Sequence, residues 1–334
     1  MPEKSVNCEK DSIPILLICY NRPELTKNIL SLPNLIHAKN LYIFCDGPKQ
    51  DKETISKVLK TREVIHAQTK TEKIKFQNNN LGCGKAVKTA LDWFFKENEM
   101  GIVLEDDVLP STEFFSFMDE TLKRFQYDSS VASVSGFCPW PEFFNPNCPF
   151  LKTKYFSMWG WGTWARVWKN YVLDIDDENK IEWSKAIRKA CDSDNENEFW
   201  QTILQKLRNK DIDTWDYQFF FQAWANNQVH IRPSKNLVQN LGFGADATHT
   251  GVEPWFVRAQ KTPLSQDQPH WFLDAVYFYF RHLTYLDNGN FSMELTSKRV
   301  FDLVDENKKL KLLLQGKNRK QSVRRLFRKL FYRQ

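Results

Sequence analysis

Short, continuously apolar runs alternate with longer stretches of helical spacing through the first 135 residues. Residues 13–19 (IPILLIC) and Leu41–Cys45 are apolar throughout, which predicts strands covered on both faces. Residues 73–76 predict a third, weaker strand, residues 101–104 a fourth and Val131–Ser135 a fifth. Between them, Leu25 and Ile29 share one face of a helix opening near Glu24. Val87, Ala90, Leu91 and Phe94 do the same over residues 85–96. Phe114, Phe117, Met118, Leu122 and Phe125 mark another helix, with Ser111 or Thr112 available as its cap.

Strands alternating with helices predict βαβ units, hence an α/β fold with a mostly parallel central sheet flanked by helices. Ligands of such sheets sit beyond the carboxyl ends of the strands. Asn21-Arg22, Asp46-Gly47 and Glu105-Asp106-Asp107 each follow a predicted strand, so three polar clusters are expected in one crevice. The second half is more irregular and aromatic, with neither an internal repeat nor a clean linker, and residues 139–149 read as a surface loop. One domain is expected over residues 13–255, with a nucleotide-binding half (13–135) and an acceptor half (136–255). A helical C-terminal extension follows over 256–334.

Three consecutive carboxylates repel one another, and a strand end that gathers them is eased by a cation. Mg²⁺ or Mn²⁺ held by one or two carboxylates plus substrate phosphates is the usual hard-cation arrangement. Such a metal stabilises a departing diphosphate. If the anomeric centre of a sugar donor inverts, a carboxylate must also take the acceptor's proton. Asp216, in Thr214-Trp215-Asp216-Tyr217-Gln218, suits that role and is equally placed to cap the helix that starts there. Asn80-Leu81-Gly82-Cys83-Gly84-Lys85 lacks the spacing of a phosphate loop, because Ala86 follows the lysine. It reads as a turn into a helix bordering a nucleotide, with Lys85 near phosphate.

Composition narrows the class. The chain has 334 residues, 42% of them hydrophobic, enough for a substantial core. Seven cysteines, none spaced Cys-x-x-Cys, give no zinc knuckle or redox pair and fit a reducing, cytoplasmic setting. The polar N-terminus lacks the apolar core of a signal peptide, and no apolar run is long enough to span a bilayer. Residues 308–334 hold eleven Lys or Arg and no Asp or Glu, so against a total of +6 the remainder carries −5. Within that tail Val323, Leu326, Phe327, Leu330 and Phe331 form one helical face and arginines the other. An anionic membrane surface on the inner face of the plasma membrane suits such a tail, and packing on the body is the alternative. No nucleic-acid-binding module is recognisable.

The segments IPILLICYNRP, FCDG, NLGCGKAVKTALDWFF, VLEDDVLPSTEFFSFM, MWGWGTWARVW, TWDYQF and IRPSKNLVQNLGFGADATHTG resemble GT-A glycosyltransferases of bacterial surface-polysaccharide clusters. They are similar, in the same order, to the β-1,2-N-acetylglucosaminyltransferase I family, over roughly residues 13–251. The resemblance implies a GT-A fold, a UDP-sugar donor, Mn²⁺ and inversion. It implies that Arg22 contacts the nucleotide and that Asp46 reads uracil. Glu105 and Asp106 would face donor sugar and ribose, Asp107 would ligate the metal, and Asp216 would be the catalytic base. Trp161 in Trp159-Gly160-Trp161-Gly162 would floor the sugar pocket. His249, in a loop closing over the donor, would join the metal or the diphosphate. Where the family has Trp-Asp-Asp-Trp, this chain reads Trp-Asp-Tyr-Gln. The expected acceptor is a glycan or lipid-linked saccharide receiving N-acetylglucosamine or another hexose. The rival readings are a retaining enzyme on the same scaffold and a non-catalytic nucleotide-sugar or glycan-binding protein.

Overall fold

A computed structural model describes residues 12–138, 150–176, 181–191 and 194–242. The expected loop at 139–149, the extension at 256–334 with its basic tail, and His249 lie outside the described residues.

The first part of the chain contains β1 (Ile15–Cys19), α1 (Pro23–Leu30), α2 (Pro33–Ile36), β2 (Leu41–Cys45), α3 (Lys52–Gln68), β3 (Ile74–Phe76) and α4 (Cys83–Phe94). It continues through β4 (Met100–Glu105), β5 (Val108–Pro110), α5 (Thr112–Arg124) and β6 (Val131–Ser135). After these come β7 (Phe150–Thr153), β8 (Trp161–Trp164), α6 (Ala165–Trp168), α7 (Trp183–Ala190), α8 (Asp194–Arg208), α9 (Asp216–Ala225), β9 (Val229–Pro233) and β10 (Val238–Asn240).

Eight strands form one sheet in the order β3-β2-β1-β4-β8-β6-β9-β7. Strands β1 to β4 run parallel, β6 and β9 pair in parallel, and β8 and β7 run against their neighbours. The fold is therefore α/β with a mostly parallel central sheet. Every residue of β1 and β2 is buried, as two-sided cover requires. Helices occupy both faces, and two glycines show it. The Phe94 ring of α4 packs where Gly101 leaves room, while Met118 and Leu122 of α5 do so at Gly162. Gly162 pairs with Ile102, the residue after Gly101, so the two glycines face opposite sides of the sheet.

Two features escaped the periodicity. Helix α3 carries few buried side chains, Val58, Thr61 and Ile65, so its stripe is faint; Asp51 caps it by accepting from the Thr54 amide at 2.8 Å. The insertion of β8 between β4 and β6 is a long-range choice that local pattern does not encode. The aromatic half condenses around α9: Phe156, Trp161, Trp215 and Phe219 form one contiguous ring cluster. Among the described residues no helix is long and apolar enough to cross a membrane. Cys19, Cys45 and Cys138 are buried free thiols, small hydrophobes as their apolar runs suggest.

Candidate active site

The strand order steps outward from β1 in one direction to β2 and β3, and in the other to β4. The carboxyl ends of β1 and β4 therefore flank a switch point, where an open α/β sheet leaves a crevice. Ile18 and Glu105 are register partners at those ends. The Asp106 amide donates to the Ile18 carbonyl at 3.1 Å, and the Tyr20 amide donates to Asp106 Oδ2 at 3.1 Å. Arg22 then reaches across. Its Nη1 donates to Asp106 Oδ1 at 3.2 Å and to Asp107 Oδ2 at 2.6 Å. The structure thus brings together Arg22, Glu105, Asp106 and Asp107, from segments more than 80 residues apart.

This cluster is short of positive charge. Burial pushes the Glu105 carboxyl up to about 8, helped by Asp107 and Asp106 and opposed by Arg22; Asp216 adds to the same negative field. Asp106 rises to about 6, again through burial first and then Asp107, with Arg22 opposing. Among the described residues, one guanidinium pairs with Asp106 and Asp107 beside Glu105, an arrangement a further cation would relieve. Among the described residues, no three His, Cys, Asp or Glu side chains are gathered to enclose a metal. Asp107 offers hard carboxylate oxygen, so a divalent cation there would have to draw its remaining ligands from outside the protein. Leu241 donates to the Asp107 carbonyl at 2.7 Å, and Gly242 packs directly on its carboxylate.

Asp46 is buried and turned toward protein donors. Its carboxylate accepts from the Gly47 amide at 2.8 Å, from Asn80 Nδ2 at 3.0 Å and from the Leu81 amide at 3.1 and 3.2 Å. Both oxygens are engaged, so Asp46 ties the turn after β2 to the turn after β3. Burial raises its pKa, and the Gly47 and Leu81 amides oppose the rise.

Asp216 is the first residue of α9 and is partly buried. Its Oδ1 accepts from the Thr214 hydroxyl and, at 3.0 Å, from the Tyr217 amide. The cap position itself is Trp215, with no side-chain cap hydrogen bond, so Asp216 opens the helix as its first residue and does not cap it. Just before it, Trp215 stacks on Trp161 with centroids 5.1 Å apart and 24° between planes, and its carbonyl accepts from Tyr171 Oη at 2.9 Å. Trp161 is wholly buried. Its ring is core beneath the Asp216 segment, and it offers no open face to a sugar.

Lys85 is exposed on the first turn of α4. That turn is occupied by a residue the sequence reading passed over. Asp213 accepts from the Cys83 amide at 3.0 Å and the Gly84 amide at 3.1 Å, across 130 and 129 residues. A protein carboxylate sits where a phosphate loop would bind its phosphate. The available signal was the acidic spacing of Asp211-Ile212-Asp213 just ahead of Trp215, but nothing local points it at residue 83.

No protein-family model and no curated protein matches the chain. Among solved structures, the chain is similar to the mannosyltransferase PcManGT from Pyrobaculum calidifontis, determined in complex with GDP-Man and Mn²⁺. Identity is 13%, covering 64% of this chain and 69% of that one, with a TM-score of 0.36; likeness at that level assigns neither activity nor residues.

Proposed function

We propose that the chain is a metal-dependent glycosyltransferase that moves a sugar from a nucleoside-diphosphate donor to a hydroxyl of a glycan or lipid-linked acceptor, with inversion. One observation carries the reading. At the switch point of the sheet, Arg22 is held between Asp106 and Asp107, with Asp216 within electrostatic reach of Glu105. It supports a site in which Arg22 serves a diphosphate, Asp107 a metal and Asp216 the acceptor proton.

In this reading the acceptor oxygen attacks the anomeric carbon, the carbon–oxygen bond to the diphosphate breaks, and the nucleoside diphosphate leaves. Asp216 takes the acceptor proton, its carboxylate held in one orientation by Thr214 and the α9 amide. Arg22 would offer its guanidinium to the diphosphate and stabilise the charge that develops there. Asp107 would hold Mn²⁺ or Mg²⁺, which when bound would neutralise charge on the leaving group. Asp46 shapes the nucleobase side of the site through the turns it joins, UDP being the nucleotide expected from the sequence resemblance. Glu105 and Asp106 line the sugar and ribose side.

A thermal-shift screen of nucleoside-diphosphate sugars tests the binding half of this reading. A ligand selective for the native state raises the midpoint, by about 2.7 kcal/mol of stability at a hundredfold excess over Kd. At least one donor should shift the midpoint with Mn²⁺ and shift it less without. A screen with no metal-enhanced shift for any donor would defeat the proposal.

A further inference from the structure

The geometry points to Asp213 as a positioning residue for Asp216, one that fixes the proposed base by fastening its segment to the first turn of α4. The inference rests on Asp216 being the base and adds the device that places it.

The N-terminus of α4 is capped from a distance. A helix start is ordinarily satisfied by a Ser, Thr, Asp or Asn at the N-cap itself. Here that position is Gly82, with φ of 79° and ψ of 164°, and it has no side chain to give. The cap comes instead from Asp213, whose two oxygens take the Cys83 and Gly84 amides separately. The surface is cut to receive this segment. A Cβ on Gly82 would stand 2.8 Å from Asp213 Oδ2, and one on Gly84 would stand 2.8 Å from the Thr214 carbonyl. Helix capping alone needs neither vacancy, since a local side chain would supply it. Close docking of residues 213 and 214 needs both.

The anchored segment leads straight to the site. Thr214 follows, and its hydroxyl donates to Asp216; Gln218 Nε2 returns to the Thr214 carbonyl at 3.0 Å. Trp215 is held on its face by Trp161 and at its carbonyl by Tyr171. On the other side of the anchor, the amide of Leu81, one residue before Gly82, donates to Asp46. One turn, residues 80–84, therefore touches both the Asp46 network and the segment that ends in Asp216. A displacement of about 1 Å at a reacting group costs about a hundredfold in rate, so an anchor this close to the base acts on turnover before it acts on binding.

The test compares full-length wild type with Asp213→Asn, Asp213→Ser, Asp216→Asn and the double variant Asp213→Asn/Asp216→Asn. Asn keeps one acceptor oxygen but places an N–H group against the other amide, whereas Ser is one bond shorter and gives up both contacts. The expected result for Asp213→Asn is a kcat lower by about 10- to 100-fold with donor KM within about twofold. Asp213→Ser, which removes both contacts, should lose at least as much. The double variant should be no slower than Asp216→Asn alone, because an anchor for the base has nothing left to place once the base is gone. Amide hydrogen exchange at Cys83, Gly84 and Tyr217 should quicken in Asp213→Asn. A kcat within about threefold of wild type, or losses that simply multiply in the double variant, would overturn the inference. Exchange separates the two layers. Wild type without turnover, but with these amides loosened by Asp213→Asn, sinks the base assignment and leaves the anchor. Turnover with unchanged exchange in Asp213→Asn sinks the anchor alone.

Discussion

Arg22 Nη1 and Asp107 Oδ2 meet at 2.6 Å across 85 residues of sequence, with 15% and 12% of their side chains exposed. The same nitrogen holds Asp106, so one cation offsets two carboxylates at once. Removing one partner of a sheltered ion pair leaves charge uncompensated, at a cost of about 3 kcal/mol. Arg22→Met should therefore lower unfolding stability by about that amount, read from urea denaturation at pH 7. Added Mn²⁺ should recover more stability in Arg22→Met than in wild type, since a second cation then has the carboxylates to itself. Equal stability of the two proteins would mean that the cluster is not charge-limited.

Trp161 supports the Asp216 segment from within the core. Truncation to Ala opens a cavity beneath Trp215 and should cost about 3–5 kcal/mol. Trp161→Phe keeps an aromatic stack and should lose much less, with donor KM within about twofold of wild type. A large KM change in Trp161→Phe at full stability would restore the ring to the sugar pocket.

His230 gives the fold an acid sensitivity. It is buried against Phe156, Phe219 and Phe220, with Nδ1 2.8 Å from the Ser133 hydroxyl. Burial first, then the Arg232 charge, lowers its pKa from 6.5 to about 3. Between these values the unfolded chain binds a proton that the native chain refuses. Stability from this group is thus complete above about 6.5 and is lost as pH falls toward about 3, by up to about 1.4 kcal/mol per pH unit. His230→Gln should show a shallower decline over that window in denaturation midpoints measured every half unit. A slope identical to wild type would contradict the neutral, buried histidine.

The first 135 residues were readable because their strands are apolar runs and helices α1, α4 and α5 carry clear stripes. Residues 13–19 and 41–45 announce two-sided burial, and a parallel sheet then forces Arg22, Asp46 and Glu105–Asp107 toward one edge. What remained hidden was pairing set by tertiary contact. Nothing near Trp161 says that β8 runs backwards between β4 and β6, and nothing near Gly82 says that Asp213 will cap it. The aromatic composition was equally ambiguous, since a ring that stacks on a sugar and a ring that stacks on Trp215 look alike in sequence. Asp46 shows the converse: its place at a strand end was legible, its saturation by Gly47, Asn80 and Leu81 was not.

The central claim is that a nucleoside-diphosphate sugar is cleaved and transferred with a cation on Asp107. The direct measurement is nucleoside-diphosphate release and product anomeric configuration, using a donor panel, Mn²⁺ and saccharide acceptors, for wild type and Asp107→Ala. The account predicts turnover of at least one donor by wild type with an inverted product. It predicts loss to background on chelation and in a natively folded Asp107→Ala. Turnover that survives both would contradict it.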